Sequence, residues 1–151
     1  MRLATVTDQP VRVPEQVPRV RLATNQDGAM IGVLLTNAGF DLTGLPISWD
    51  DLYPYWLVAE LDGELVGCIQ VAFSKPIGYM ELLAVDRSLS HTLQASLVKA
   101  LCYQAMATLK KGGCTLSGGM VAFEDKNWKK VLKRRGCVII ASGNKFVKRL
   151  V

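Results

Sequence analysis

Half of the 151 residues are hydrophobic and 21% are charged, which is the composition of a soluble globular protein and excludes a disordered or fibrous chain. The length suits one domain with a sizeable core. Every apolar run is shorter than a membrane span, and the first residues lack the apolar segment of a secretion signal. We therefore expect no membrane association and a cytoplasmic location.

The net charge of +5 is unevenly distributed along the chain. Residues 1–75 carry 5 basic and 9 acidic side chains, whereas residues 76–151 carry 13 basic and 4 acidic ones. A basic C-terminal half suits a polyanionic ligand, and nucleic acid is one such ligand. The basic stripe at 126–135 is more typical of the solvated face of a helix and has no aromatic platform beside it, so nucleic acid is disfavoured as a partner.

Cysteines and histidine give no sign of a metal site. The four cysteines are far apart and lie among apolar neighbours, and His91 is the single histidine; the cysteines are Cys68, Cys102, Cys114 and Cys137. This spacing fits neither a disulfide framework nor a zinc site. We expect small buried cysteines in a reducing compartment and no bound metal.

The chain begins with residues 1–17, which contain prolines and which we interpret as an extended or flexible arm in front of a single domain at 18–151. A short strand is predicted at 20–23. Thr24, followed three residues later by an acid, is the pattern of a capping box. It predicts a helix, which Gly39 ends.

A three-stranded antiparallel meander is predicted after a loop or short helix at 40–54. Apolar-rich stretches at 55–61 and 65–73 flank an Asp-Gly dipeptide, which favours the two-residue turn of a hairpin. A second turn at 75–78 leads into an apolar run at 79–85, which predicts a buried strand.

A long helix follows this strand after a short polar connection. One face of the helix is apolar, with an apolar residue at every fourth position: Leu93, Leu97, Leu101, Ala105 and Leu109. Lysines and glycines at 110–113 end it. The first N–H groups of a helix lack partners and carry positive potential, so a strand that leads directly into a helix start indicates an anion site, usually for phosphate.

The remaining residues predict three elements: a strand at 114–121, a helix from 124 to 135, and a hairpin made of 137–141 and 145–151. Gly118 and Gly119 lie within the strand. Glycines in a strand indicate a bulge or the close approach of another backbone.

The strand–loop–helix junction resembles motif A of the GNAT superfamily, the acyl-CoA-dependent N-acetyltransferases. In that family a strand ending in Leu-Ala-Val-Asp leads into a loop of the form Arg/Gln-x-x-Gly-x-Gly/Ala, which caps a long helix and holds the coenzyme A pyrophosphate. The tetrapeptide at 83–86 matches the strand end. Ser90 occupies the Arg/Gln position, Leu93 the first glycine and Ala95 the last position, and no glycine lies within 79–111.

The stretch at 127–137 resembles the second signature of the family, an asparagine followed by a helix that ends in Tyr-x-x-x-Gly-Phe. Asn127 and Gly136 match this signature, whereas Leu132 and Cys137 replace the tyrosine and the phenylalanine. The order of elements along the chain also agrees with the family.

The resemblance implies a mixed α/β fold of the GNAT type, with a mostly antiparallel central sheet flanked by helices. The strands at 79–85 and 114–121 should be neighbours that diverge at one end, where the pantetheine arm of coenzyme A enters. Acetyl-CoA is the implied cosubstrate, and no metal is implied. The resemblance assigns coenzyme binding mainly to backbone groups of ten residues: Leu83, Ala84, Val85, Ser90, His91, Thr92, Leu93, Gln94, Ala95 and Asn127.

The implied reaction is transfer of an acetyl group to an amine of a small molecule or a protein. Glu81, the one charge in its strand, is the implied base; the alternatives are that it points to solvent or pairs with a lysine. Arg87 either contacts the 3′-phosphate of the coenzyme or is a surface residue. His91 either donates to phosphate or is solvated.

The acceptor side of the family lies near residues 40–54. Four aromatic side chains either line an acceptor pocket or pack the loop onto the sheet, and packing is favoured for each one alone: Trp49, Tyr53, Tyr55 and Trp56. The identity of the acceptor cannot be read from the sequence, and a homodimer is left open.

The departures from the motif support a second hypothesis, in which the protein has the GNAT fold but has lost catalysis and serves as a binding or structural module. Ser90, Leu93 and Leu132 favour this module. The intact Leu-Ala-Val-Asp and Glu81 favour the enzyme.

Overall fold

A computed structural model of the chain describes residues 17–43, 55–120, 130, 132–136, 138–139 and 145–149. Its elements are β1 (Arg19–Leu22), α1 (Gly28–Asn37), β2 (Trp56–Leu61), β3 (Glu64–Ser74), β4 (Ile77–Val85), α2 (His91–Lys111), β5 (Leu116–Met120), β6 (Val138–Ile139) and β7 (Lys145–Arg149). A 3₁₀ turn at Asn25–Asp27 precedes α1.

The strands form one sheet in the order β1-β2-β3-β4-β5-β7-β6. Neighbouring strands pair antiparallel except β4 and β5, which run parallel. A parallel pair needs a crossover connection, and α2 provides it. The mixed α/β fold with a mostly antiparallel sheet is therefore confirmed.

The turn between β2 and β3 forms as the sequence predicts. Asp62 and Gly63 have positive φ angles of 51° and 81°. Two left-handed residues in succession match the twist of the flanking strands, and aspartate and glycine are residues that tolerate this conformation.

The next turn is shorter than the sequence predicts. The sequence predicts a turn over 75–78, but Ile77 and Gly78 already belong to β4 and pair with the end of β3. Gly78 serves packing rather than turning, since a Cβ at this position would lie 2.5 Å from Cδ2 of Leu109 in α2. The missing side chain allows α2 to lie close to the sheet.

Helix α2 covers one face of the sheet. Four residues of its apolar stripe have no exposed surface: Leu97, Leu101, Ala105 and Leu109. They form the α2-side core with residues of β2 and β3 such as Leu57, Ile69 and Val71. Full burial of one leucine contributes about 1.5–3 kcal/mol, so this stripe is what holds α2 on the sheet.

Helix α1 packs a second cluster, the α1-side core. Ile31, Leu34 and Leu35 of the helix contact residues of β2 and β3 that include Trp56 and Cys68. Trp56 is 2% exposed, so the packing interpretation holds for this aromatic residue. The two clusters take alternate residues of β2, as expected for a sheet with a helix on each face.

Three cysteines lie in the described part of the chain, and each is a reduced thiol outside any disulfide bond: Cys68, Cys102 and Cys114. Cys68 and Cys114 are buried and Cys102 is half-buried, as their apolar neighbours predict. Burial raises the pKa of the Cys68 thiol to about 12. The reactive thiolate is therefore scarce at this position near neutral pH.

A charged cluster fixes the start of α1. The Asp27 carboxylate accepts a hydrogen bond from the N–H of Thr24 at 2.8 Å, as the capping pattern predicts. It also accepts two from the Arg21 guanidinium, at 2.8 and 2.9 Å, and Arg21 reaches Glu60 of β2 at 2.8 Å. The hydrogen bond from Arg21 is the main reason why the pKa of Asp27 is lowered.

In the C-terminal part, β6 and β7 form the expected antiparallel hairpin, and residues 132–134 are helical. Some expectations lie outside the described residues, namely the arm at 1–16 and the roles of Trp49, Tyr53 and Asn127. Of the helices in the described part, none combines the length and the apolar character that crossing a membrane requires.

Candidate functional site

Strands β4 and β5 lie side by side for only part of their length. Their register pairs run from Ile77 with Leu116 to Tyr79 with Gly118. Beyond these pairs, β4 continues toward α2 against β3 alone, and β5 continues against β7 alone. The predicted divergence of these neighbours is confirmed. It leaves an opening in the sheet, the β4–β5 gap, whose edges carry backbone groups that no strand pairs within the described residues.

Gly119 lies at the point where the two strands part. A Cβ there would be 2.7 Å from the backbone oxygen of Met80, closer than real Cβ atoms come, so only glycine fits this approach. Ser117 nearby is 2% exposed, and its hydroxyl has no hydrogen-bond partner among the described residues. Two successive glycines in a predicted strand indicate that another backbone comes close, and the structure shows this at Gly119. A serine in a strand gives no such indication, so the buried hydroxyl of Ser117 could not be predicted.

β4 carries a bulge where it borders the gap. Leu82 and Leu83 together lie opposite Ile69 of β3, and Leu82 has a φ of 51°. A leucine in the left-handed region is strained by about 1–3 kcal/mol, and strain of this kind is concentrated at functional sites. A bulge redirects the backbone groups of its strand. The sequence does not reveal it, because its usual marker, a glycine, is absent.

The side chains of the three predicted strand residues are used in packing. Ala84 is 3% exposed in the α1-side core, and Leu83 and Val85 contact the α2-side core. Only the backbone of these residues is left to act at the gap, which is the role that the resemblance gives them.

Glu81 lies one residue before the bulge, in register with Gln70 of β3, and its side chain is exposed. Met80 contacts the α2-side core, so Glu81 lies on the opposite face of the sheet, the face that carries α1. The described residues provide no lysine or arginine in an ion pair with Glu81.

The loop at 86–90, between β4 and α2, is held by side chains. Asp86 Oδ1 accepts hydrogen bonds from the backbone N–H of Ser88 at 2.9 Å and from its hydroxyl at 2.7 Å. Gln94 reaches back from α2, and its Nε2 donates to the carbonyl oxygens of Arg87 at 3.2 Å and Leu89 at 2.7 Å. The loop is therefore tight without a glycine.

Some backbone amides in the first turn of α2 are already bonded to Ser90. The hydroxyl oxygen of Ser90 accepts from the N–H of Leu93 at 3.3 Å, and its carbonyl accepts from the N–H of Gln94 at 2.9 Å. The amides of Ser90, His91 and Thr92 have no partner among the described residues, and all three residues are exposed. These three amides are the part of the predicted anion site that remains available.

Leu93 and Ala95 differ in their surroundings. Leu93, which occupies the first glycine position of the motif, is half-buried and contacts the α2-side core. Ala95 is exposed but lies in the second turn of α2, where an amide bonds to the carbonyl four residues back.

Arg87 connects the loop to α1. Its Nη2 donates to the carbonyl oxygen of Ala38 at 3.0 Å, at the C-terminal end of α1. The last carbonyl groups of a helix lack internal partners, so this bond stabilises both elements. Arg87 is an exposed surface residue, and the contact with the 3′-phosphate stays a prediction.

The acceptor side is described only in part. Tyr55 is 43% exposed, and its ring centroid lies 6.4 Å from that of Phe73. Within the described ranges, no group of three or more His, Cys, Asp or Glu side chains is placed to hold a metal ion.

The sequence matches no protein-family model and has no significant match among curated proteins. The fold does match solved structures. N-acetylglutamate synthase from Neisseria gonorrhoeae, complexed with coenzyme A and L-arginine, is 16% identical with a TM-score of 0.72, over 90% of this chain and 34% of its own. YncA from Salmonella typhimurium, with acetyl-CoA, is 13% identical with a TM-score of 0.71, over 90% of this chain and 95% of its own.

A third similar structure is an acetyltransferase of the GNAT family from Staphylococcus aureus, 10% identical with a TM-score of 0.70, over 89% of this chain and 100% of its own. This chain thus spans about a third of the Neisseria synthase but nearly the whole of the other two proteins. At such identities the likeness is one of fold. The order of the elements and the parting of β4 from β5 lead to the same conclusion as these similar structures. The chain has the fold of the GNAT acetyltransferases.

Proposed function

We propose that this protein is an acyl-CoA-dependent N-acetyltransferase, which transfers the acetyl group of acetyl-CoA to an amine of a small molecule or a protein. The observation that carries the proposal is the β4–β5 gap with the strained Leu82 on its border and the loop at 86–90 next to it. Structures of similar fold that contain coenzyme A or acetyl-CoA support it.

In this proposal the pantetheine arm lies in the β4–β5 gap against the backbone of residues 83–85. The pyrophosphate lies at the start of α2, where the amides of Ser90, His91 and Thr92 are available and the helix macrodipole favours an anion. The Thr92 hydroxyl and the His91 ring add side-chain donors at the same turn.

For the reaction, the amine nitrogen attacks the carbonyl carbon of the thioester, and the carbonyl oxygen takes up negative charge. A backbone N–H of β4 near the bulge stabilises this oxygen. The C–S bond then breaks, and the coenzyme A thiolate becomes the thiol by taking up the proton that the attacking nitrogen loses as the amide forms. Glu81 accepts the proton that the acceptor ammonium loses.

One observation favours the alternative of a GNAT-fold binding or structural module. Leu93 is anchored in the α2-side core, and two amides of the first turn are already bonded to Ser90. The pyrophosphate would thus have three amides and the side chains of Thr92 and His91, without the charge-assisted contact that an arginine supplies. This predicts weaker coenzyme binding than the full motif gives.

Calorimetric titration with acetyl-CoA and with coenzyme A separates the two functions. We expect binding of both with dissociation constants below millimolar, and thioester consumption with at least some members of a panel of amines. No heat of binding at millimolar coenzyme would refute the enzyme. Binding without turnover across the panel would support the module.

Replacing Glu81 with glutamine tests the proposed base. We expect Glu81→Gln to lower kcat about 100-fold or more, because proton transfer by a positioned side chain contributes that much, while the Kd for acetyl-CoA is unchanged. Glu64→Gln, at an exposed position at the start of β3, is the matched control. Equal kcat values for the two variants would remove Glu81 from the mechanism.

A further inference from the structure

The side chain of Gln94 makes two hydrogen bonds that together orient the loop at 86–90. One NH₂ group donates to the carbonyl oxygens of Arg87 and Leu89, the first and third residues after Asp86. Holding two carbonyls at once uses both hydrogens of the amide. Gln94 is thus the one described residue of α2 whose side chain bonds to the loop backbone.

Fixing a carbonyl also fixes the next amide. In a trans peptide the C=O and the N–H point in opposite directions. The Leu89 carbonyl points to Gln94 at 2.7 Å, so the N–H of Ser90 points away from Gln94. In the same way the Arg87 carbonyl points to Gln94 while the N–H of Ser88 reaches Asp86.

We infer that Gln94 is a positioning residue for the polyphosphate of the coenzyme, an inference that rests on the proposed function. Two carbonyl oxygens of the loop are held against the Gln94 side-chain amide, so their partial negative charge is directed to this donor and not to the anion. Gln94 also fixes the direction of the Ser90 amide, which precedes the available amides of His91 and Thr92.

Gln94→Met tests the inference, because methionine keeps the length and the helix propensity of glutamine but removes both donors. We expect the Kd for coenzyme A and the KM for acetyl-CoA to rise about tenfold, while kcat changes less than twofold. The Kd for S-acetylpantetheine, which has no pyrophosphate, should also change less than twofold. Gln104→Met, at an exposed position ten residues further along α2, is the matched control.

Gln94→Ala is the second variant, since alanine has the highest helix propensity. Should the wild-type protein bind no coenzyme A, the proposed function and this inference both fail. Should it bind while both Gln94 variants bind within twofold of it, only the role of Gln94 fails. A loss of helical circular dichroism in both variants, or equal weakening toward S-acetylpantetheine, would show a general structural role and overturn the assignment.

Discussion

Gly119 is the residue that sets how closely β5 approaches β4. A Cβ at this position would lie 2.7 Å from the Met80 carbonyl oxygen, which belongs to the backbone and cannot rotate away. We expect Gly119→Ala to lower the free energy of unfolding by about 1–3 kcal/mol, because β4 and β5 must separate to admit the methyl group. Thr115→Ala, exposed and just before β5, should change it by less than half as much. Urea unfolding followed by circular dichroism measures both.

Equal stability of the Gly119→Ala and Thr115→Ala variants would show that the strands can move apart at no cost. The distance between Met80 and Gly119 would then be a loose feature rather than the fixed end of the gap. The Leu82 strain and the Gly119 contact lie on the same strand pair, so the geometry of the gap depends on both residues.

The start of helix α1 is stabilised by one carboxylate, that of Asp27. Arg21 lowers the pKa of Asp27 from its ordinary value of 3.8. A carboxyl group with a lowered folded-state pKa contributes stability above its unfolded pKa, and this contribution is lost as the pH falls through the folded value. We expect Asp27→Asn to lower the free energy of unfolding by about 1 kcal/mol at pH 7, and the difference from wild type to shrink between pH 4 and pH 2.

Denaturant unfolding at these pH values gives the comparison, with Asp41→Asn as control. Asp41 also has a lowered pKa, because Thr43 donates to it, but it lies in an exposed turn after α1 and pairs with no cation of the described residues. A difference for Asp27→Asn that stays constant from pH 7 to pH 2 would contradict the assigned role of the ion pair.

Elements whose signals are local could be predicted from the sequence. The Asp62–Gly63 turn and the apolar stripe of α2 depend on residues a few positions apart, and both form as expected. The GNAT order followed from the same elements and from the tetrapeptide at 83–86.

Features that depend on contacts between distant residues could not be predicted. From the sequence, Gly78 is typical of a turn, and only the fold shows that it makes room for Leu109. Nothing in the sequence around Leu82 indicates a bulge. The bonds from Gln94 to the loop were likewise hidden, because a polar residue in the first turns of a helix is ordinary. The roles assigned to Glu81 and to the residues of the coenzyme site remain predictions.

For the whole molecule, charge and fold place positive potential around α2. The described part of the chain has no acidic residue on α2 or at 132–136, and the basic residues there are exposed. Arg135 lies 5.9 Å from the ring centroid of Tyr103, which joins the C-terminal helical turn to the outer side of α2. Such a surface attracts an anionic ligand from a distance, in addition to the contacts at the helix start.

The short pairing of β4 with β5 leaves the sheet as two units, β1–β4 and β5–β7–β6, which share three register pairs, and α2 packs on the strands of the first unit. We expect native-state hydrogen exchange to show the amides of β5 and β7 opening with a lower free energy than those of β2 and β3. A ligand that bridges the two units should then slow exchange in both at once. Exchange that already proceeds at one common free energy in the unliganded protein would show that the parted sheet unfolds as a single unit.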